Sequence, residues 1–84
     1  MFLHVGADRS VRSDDIVAII DLRAADQSPA TKEFLAVMKD EGVLEDISEG
    51  DPKSFVITND RIYLSPISAL TLSKRTIGVP AKLL

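Results

Sequence analysis

Several basic residues in the second half of the chain have the chemistry to hold a phosphate group. Lys53 and Ser54 open the run "KSFVIT", Arg61 opens the run "RIYLS", and Lys74 and Arg75 follow later. Antiparallel pairing of the two runs would put Lys53 and Arg61 at opposite ends, so those two do not form one cluster. Lys74 and Arg75 close a predicted helix, where cations also complement the negative end of the helix dipole. For that pair, phosphate contact and helix-end stabilisation both stay open.

Acid–base or metal chemistry has less support. His4 is the only histidine, and Asp8, Asp14 and Asp15 follow it in the sequence, but their spacing matches no metal-ligand pattern. An ordinary hydrogen bond from a strand histidine and a solvated strand entrance at Asp14-Asp15 are the preferred interpretations. The chain also lacks cysteine, a glycine-rich phosphate loop and a nucleophile motif. We therefore expect neither an enzyme nor a cofactor or metal site.

Composition predicts a small domain that associates with itself. A chain of 84 residues buries only about 60–65% of its unfolded surface, yet 45% of its residues are hydrophobic. A formal net charge of −3 argues against broad attraction to nucleic acid or anionic membranes, although it allows a local basic patch. No run approaches the roughly 18 apolar residues of a membrane span, and no leader segment is evident. We expect a cytoplasmic protein with no membrane partner.

The spacing of apolar and turn residues predicts an α+β fold. Extended segments are expected at 2–5, 10–13, 16–22, 43–48, 53–58 and 61–65. The last two flank Asn59-Asp60 and predict a hairpin. We expect a small, mostly antiparallel sheet of four to five strands with two helices.

Two Ser-Pro pairs predict the helix starts. Ser28-Pro29 predicts a helix over 29–41 that Gly42 ends, and its apolar stripe of Ala30, Phe34, Val37 and Met38 is expected to pack on the sheet. Ser65-Pro66 predicts a second helix from Pro66 to about Arg75.

The segment "IVAIIDL" (16–22) is apolar on both faces, which is typical of a central strand or of one buried against a second subunit. Ile16, Val17, Ile19 and Ile20 are therefore the predicted oligomer interface.

Five ordered pieces of the chain resemble the small bacterial family of extracellular matrix regulators, RemA and RemB, and are most similar to its RemB members. They read "HVG" (4–6), "DIVAIID" (15–21), "SPATKEFL" (28–35), "PKSFVIT" (52–58) and "IYLSPISALTLSKR" (62–75). The resemblance spans roughly residues 1–76, and residues 77–84 are expected to form a C-terminal tail.

The resemblance implies a cytoplasmic transcriptional regulator of biofilm matrix genes, whose RemA-like members bind DNA as ring-shaped homo-oligomers. Those members carry arginines just before the penultimate strand and just before the central strand. Here the two places read Asp51-Pro52-Lys53-Ser54 and Asp15. Lys53 and Ser54 are the expected contacts to double-stranded DNA, with Lys74 and Arg75 as secondary candidates, and binding is expected to be weak unless a ring repeats it. The alternative is an oligomeric protein-interaction module that no longer binds DNA and acts through a RemA-like partner.

Overall fold

The computed structural model describes residues 2–75 and the backbone of a two-residue strand near the C-terminus. The rest of the tail predicted over 77–84 lies outside the described residues. The strands are β1 (Phe2–Gly6), β2 (Arg9–Arg12), β3 (Ile16–Asp21), β4 (Leu44–Asp46), β5 (Ser54–Thr58), β6 (Ile62–Ser65) and β7 (Lys82–Leu83). The helices are α1 (Leu22–Asp26), α2 (Pro29–Asp40) and α3 (Ala69–Arg75).

The α+β class predicted from sequence is confirmed, with two sheets in place of one. The main sheet has the strand order β4-β6-β5-β3-β7, and β1 and β2 form a separate antiparallel hairpin. β3 pairs with β5 and β5 with β6 in antiparallel fashion, while β4 and β7 add in parallel at the edges. The hairpin predicted around Asn59-Asp60 is the β5–β6 pair.

The main sheet separates two apolar layers. The hairpin β1–β2 and helix α3 cover one face, where Val5, Ile19, Val56 and Leu72 are buried together. Helices α1 and α2 lie over the other face, which buries the cluster of Ile20, Ala25, Leu35, Phe55 and Ile62. Since neighbouring residues of β3 and β5 point to opposite faces, both central strands have apolar residues on both faces.

Helix α2 begins where the sequence predicts, but it turns a different side to the sheet. Ser28 caps the helix by accepting the N–H of Thr31, and Pro29 is its first residue. Leu35 is the buried residue of α2, whereas Phe34 and Val37 are exposed. Of the predicted stripe, Met38 packs against the cluster under the sheet, whereas the predicted packing of Ala30, Phe34 and Val37 was wrong. The stripe through Thr31, Leu35 and Met38 has the same helical spacing, and it takes the inner side.

The start of the last helix and the helix count also differ from the prediction. Ser65 is the end of β6, and its hydroxyl donates to the Val5 carbonyl and accepts the N–H of Ile67. The helix starts three residues beyond Pro66, after Ser68, whose hydroxyl accepts the N–H of Thr71. An additional short helix, α1, follows β3 directly because the Asp21 carboxylate caps it.

One carboxylate ties the small hairpin to the edge of the main sheet. Glu45 on β4 lies 2.7 Å from Arg9 Nε on β2 and 3.7 Å from Arg61 Nη1 before β6. Arg61 therefore lies near Glu45, at the end of the sheet away from Lys53.

Candidate nucleic-acid interface

Lys53 stands at the end of the sheet where β3 finishes and β5 begins. Asp21 is paired with Ser54 in the ladder, so the residues just after Asp21 lie beside Lys53. The Lys53 N–H donates to Ser65 O at 2.8 Å, and its carbonyl accepts the N–H of Leu22 at 3.0 Å. The backbone is fixed on both sides while the side chain stays exposed, with its Nζ 3.6 Å from an Asp51 carboxylate oxygen. Lys53 therefore presents an exposed cation from a backbone position that hydrogen bonds hold on both sides.

Ser54 has a different position from Lys53. Its side chain is buried at 0% exposure, and its hydroxyl donates to Ile67 O at 2.7 Å. The hydroxyl is committed to the connection between β6 and α3, so it is not available to a phosphate. Ser54 instead holds the strand entrance on which Lys53 stands.

Lys74 and Arg75 do not join Lys53. The start of α3 lies close to Lys53, because Lys53 and Ser68, the residue just before the helix, line one surface cleft. Both cations are exposed in the last turn of α3, about 10 Å further along the helix axis. The structure therefore separates them from Lys53 by the length of the helix.

Arg23 is the cation beside Lys53 that sequence reasoning missed. Asp21, Leu22, Arg23, Pro52, Lys53 and Ser68 line a cleft of about 280 Å³. The Arg23 side chain is 89% exposed, and its Nε and Nη2 donate to the two oxygens of Asp21 at 3.2 and 3.3 Å. The side-chain hydrogen bond with Arg23 is the largest cause that lowers the pKa of Asp21. Finding Arg23 from sequence would have required the β3–β5 register and the cap at Asp21.

The opposite end of the β3–β5 pair carries mostly negative charge. Arg12, Asp15, Thr58 and Asp60 are among the residues around a second cleft, of about 200 Å³. Asp15 lies in a single 3₁₀ turn before β3, and its carbonyl accepts the N–H of Asn59. One cation and two carboxylates make this end less suited to phosphate than the Lys53 end.

His4 lies on the outer hairpin and is not part of the lining of either cleft. Its side chain is exposed, and Nε2 is 2.8 Å from Ala7 O. Within residues 2–75 no three histidine or acidic side chains come together in an arrangement suited to a metal ion.

The predicted interface residues differ in accessibility. Ile16, Ile19 and Ile20 are buried inside their own chain, on the two faces of the main sheet. Val17 is 51% exposed. The β3 ladder shifts register between Ile16 and Ala18, which places Val17 at an irregular point of the strand. Val17 is therefore the member of this set that a neighbouring chain can reach without opening the core.

None of the helices in the described part of the chain combines the length and the hydrophobicity that crossing a membrane requires.

The loop that leads to Lys53 starts with a tight turn at Asp46. The Asp46 carboxylate accepts the Ser48 hydroxyl at 2.6 Å and the Ser48 N–H at 2.9 Å. These two hydrogen bonds hold the pKa of Asp46 below its ordinary value of 3.8, and the bond from the Ser48 hydroxyl contributes more than the bond from the Ser48 N–H. A lowered pKa means that the carboxylate favours the folded state above about pH 4, and that this contribution is lost as pH falls through the folded-state pKa.

Ser48→Ala is expected to raise the pKa of Asp46 towards its ordinary value, because the largest lowering contribution is removed. Carboxyl chemical shifts followed by NMR during an acid titration measure the midpoint directly. Ser10→Ala, at an exposed serine on β2, is the matched control and should leave the midpoint unchanged. An Asp46 midpoint that is the same in Ser48→Ala and in the parent would show that the hydroxyl does not set this pKa.

Comparison with known proteins places the chain in a family. Residues 2–76 match the RemA-like family, described as "Extracellular matrix regulatory protein A-like". The chain is 44% identical over 75 residues to "Extracellular matrix regulatory protein B" of Bacillus subtilis (strain 168), an alignment that covers 89% of each protein. The resemblance expected from the sequence is confirmed. With a family match over nearly its whole length and a relative this similar, the chain belongs to the RemA-like family of extracellular matrix regulatory proteins.

Proposed function

We propose that the protein is a cytoplasmic, non-enzymatic regulator of extracellular matrix genes that acts as a homo-oligomer on double-stranded DNA. Its 44% identity to extracellular matrix regulatory protein B supports the role in matrix regulation. The observation that carries the DNA contact is Lys53, an exposed cation whose backbone is hydrogen-bonded on both sides. Such a side chain can meet a phosphate with little loss of backbone freedom.

Self-association supplies the affinity that one subunit lacks. Asp51 partly neutralises Lys53, and the chain as a whole is acidic, so a single phosphate contact per subunit is weak. A ring or other closed assembly would present Lys53 repeatedly along one duplex and raise the effective concentration of each further contact. Five large apolar side chains at the surface of the described residues provide contact area for assembly: Phe2, Val17, Phe34, Val37 and Leu70.

Lys53→Gln should weaken binding to a matrix-promoter duplex by at least about tenfold at low salt, because each contacting subunit loses one phosphate contact. Fluorescence anisotropy over a salt series measures both the Kd and its salt dependence. The slope of log K against log salt should become shallower by about one for each subunit that touches the duplex. Arg12→Gln removes a cation at the other end of the sheet and is the matched control.

Two outcomes would remove parts of the proposal. Equal binding by Lys53→Gln and the parent would exclude the Lys53 end of the sheet as the DNA contact, even if the protein binds DNA. A single-chain mass in light scattering at the concentration used for binding would exclude the proposal that several subunits of one assembly repeat the Lys53 contact.

The second candidate is an oligomeric interaction module that acts on a RemA-like protein without touching DNA. The pairing of both cleft cations with carboxylates, Lys53 with Asp51 and Arg23 with Asp21, favours it. Absence of saturable DNA binding at low salt, together with formation of a mixed complex with a purified RemA-like protein, would decide for this function.

A further inference from the structure

The cleft beside Lys53 contains more positive charge than the Lys53 side chain alone supplies. Its charged lining consists of Arg23, Lys53 and Asp21, and Asp51 lies 3.6 Å from Lys53 Nζ, so two cations are balanced by two carboxylates. The cleft at the other end of the β3–β5 pair has an excess of negative charge, with Arg12 against Asp15 and Asp60. Electrostatics therefore favour the first cleft as the position for an anion.

Arg23 reaches the cleft from a different strand end than Lys53. The ladder pairs Asp21 with Ser54, and the Leu22 N–H donates to Lys53 O at 3.0 Å. These contacts hold the backbones of Arg23 and Lys53 close together at one end of the sheet. An anion between them would meet charge from both sides.

Asp21 already orients the Arg23 guanidinium, and some of its hydrogen-bond donors remain available to another anion. Nε and Nη2 donate to Asp21, which leaves the Nη1 hydrogens and one Nη2 hydrogen free of that carboxylate. The Arg23 side chain is almost fully exposed, so a solvated pair of this kind yields easily to a second anion. Asp21 thus orients Arg23 and also competes with an incoming phosphate.

We propose that Arg23 and Lys53 together bind one phosphate group of the DNA backbone in this cleft, and that Asp21 limits the strength of the contact. The inference rests on the proposed function, because it assigns a second residue to the same phosphate contact. Lys53 provides a point charge and Arg23 a planar fork of donors, so the two cations hold the phosphate in complementary ways.

Three variants test this assignment by fluorescence anisotropy with a labelled duplex over a salt series. Arg23→Gln should weaken binding by about threefold to tenfold at low salt and make the salt dependence shallower. Asp21→Asn should strengthen binding by about twofold to fivefold, since asparagine caps a helix as well as aspartate does but carries no charge. In the double variant Asp21→Asn with Arg23→Gln, most of that gain should disappear.

The controls separate this inference from the function on which it rests. Arg12→Gln should bind as the parent does, and equal far-UV circular dichroism and Tm must accompany each variant. Weaker binding by Lys53→Gln with no effect of Arg23→Gln or Asp21→Asn would overturn the role of Arg23 and leave the proposed function standing. No saturable binding by the parent would overturn both.

Free phosphate is the other source of the same chemistry. At equal ionic strength, potassium phosphate and potassium chloride should weaken duplex binding to the same extent if the duplex backbone is the ligand. A markedly stronger effect of phosphate that disappears in Arg23→Gln would overturn the assignment to DNA in favour of a small anion.

Discussion

Replacing Leu72 by alanine is expected to lower the free energy of unfolding by about 3 kcal/mol. Leu72 is 0% exposed and packs in the layer between α3, the β1–β2 hairpin and the main sheet. Truncating a fully buried leucine removes transfer free energy and leaves a cavity that a close-packed core fills only in part. Urea unfolding followed by circular dichroism measures the change, and Tm should fall by more than about 10 °C.

Leu70→Ala is the matched control, since Leu70 lies two residues earlier on the same helix and is 59% exposed. The same atoms are removed, but no cavity forms, so the change should stay within about 0.5 kcal/mol. Both variants must be measured at a concentration where light scattering shows single chains, because Leu70 belongs to the exposed apolar surface proposed for assembly, and a contact there would add to its apparent cost. A cost at Leu70 as large as that at Leu72 would contradict an orientation of α3 that turns Leu72 inward and Leu70 outward.

The strands were the predictable part of this fold. Residues 16–21 and the β5–β6 hairpin carry signals that are local in the sequence, namely an unbroken apolar run and a turn between two β-rich segments. The start of α2 was equally local, because the Ser28 hydroxyl and Pro29 act within one helical turn. At these places neighbours in sequence decide the conformation, and the prediction and the structure agree.

Predictions failed where distant contacts decided. Ser65-Pro66 has the same residue types as Ser28-Pro29, but the Ser65 hydroxyl is bonded to Val5, sixty residues away, and its backbone stays in the sheet. The rotation of α2 is a similar case, because two apolar stripes share one helical period and only packing on the sheet selects Leu35 over Phe34. Tertiary contacts overrode a correct local signal at both places.

The candidate site was predictable in one residue and incomplete in the rest. Lys53 was predicted because it stands where the resemblance places arginines in the RemA-like members, whereas Ser54 looked equally suitable until its burial placed it inside the sheet. Arg23 lies in the short helix α1, which no periodic pattern reveals, and only the register of β3 with β5 places it beside Lys53. Predicting a site that is built from the ends of two strands requires knowing how those strands pair, and a single sequence does not reveal that pairing.

Gly6→Ala is expected to cost about 3 kcal/mol of unfolding free energy, and the cause is a close backbone approach as well as an unusual dihedral angle. Gly6 has a backbone φ of +133°, a value that residues other than glycine rarely adopt. A Cβ at this position would lie 2.6 Å from Pro66 Cδ and 3.1 Å from Pro66 Cγ. The proline ring cannot rotate away as a flexible side chain would, so the end of β1 or the β6–α3 connection must move.

Gly42→Ala separates the two causes. Gly42 has φ +77°, and an added Cβ would meet no atom within 4 Å, so this variant carries backbone strain alone and should cost about 1 kcal/mol. In the Gly6→Ala background, Pro66→Ala removes the clashing ring and should recover part of the lost stability, a coupling that a double-mutant cycle measures. Equal costs at Gly6 and Gly42, or additive effects of the Gly6 and Pro66 substitutions, would show that the hairpin does not rest on the β6–α3 connection. The expected coupling would instead establish that Gly6 is needed where it is because β1 crosses Pro66 at van der Waals distance.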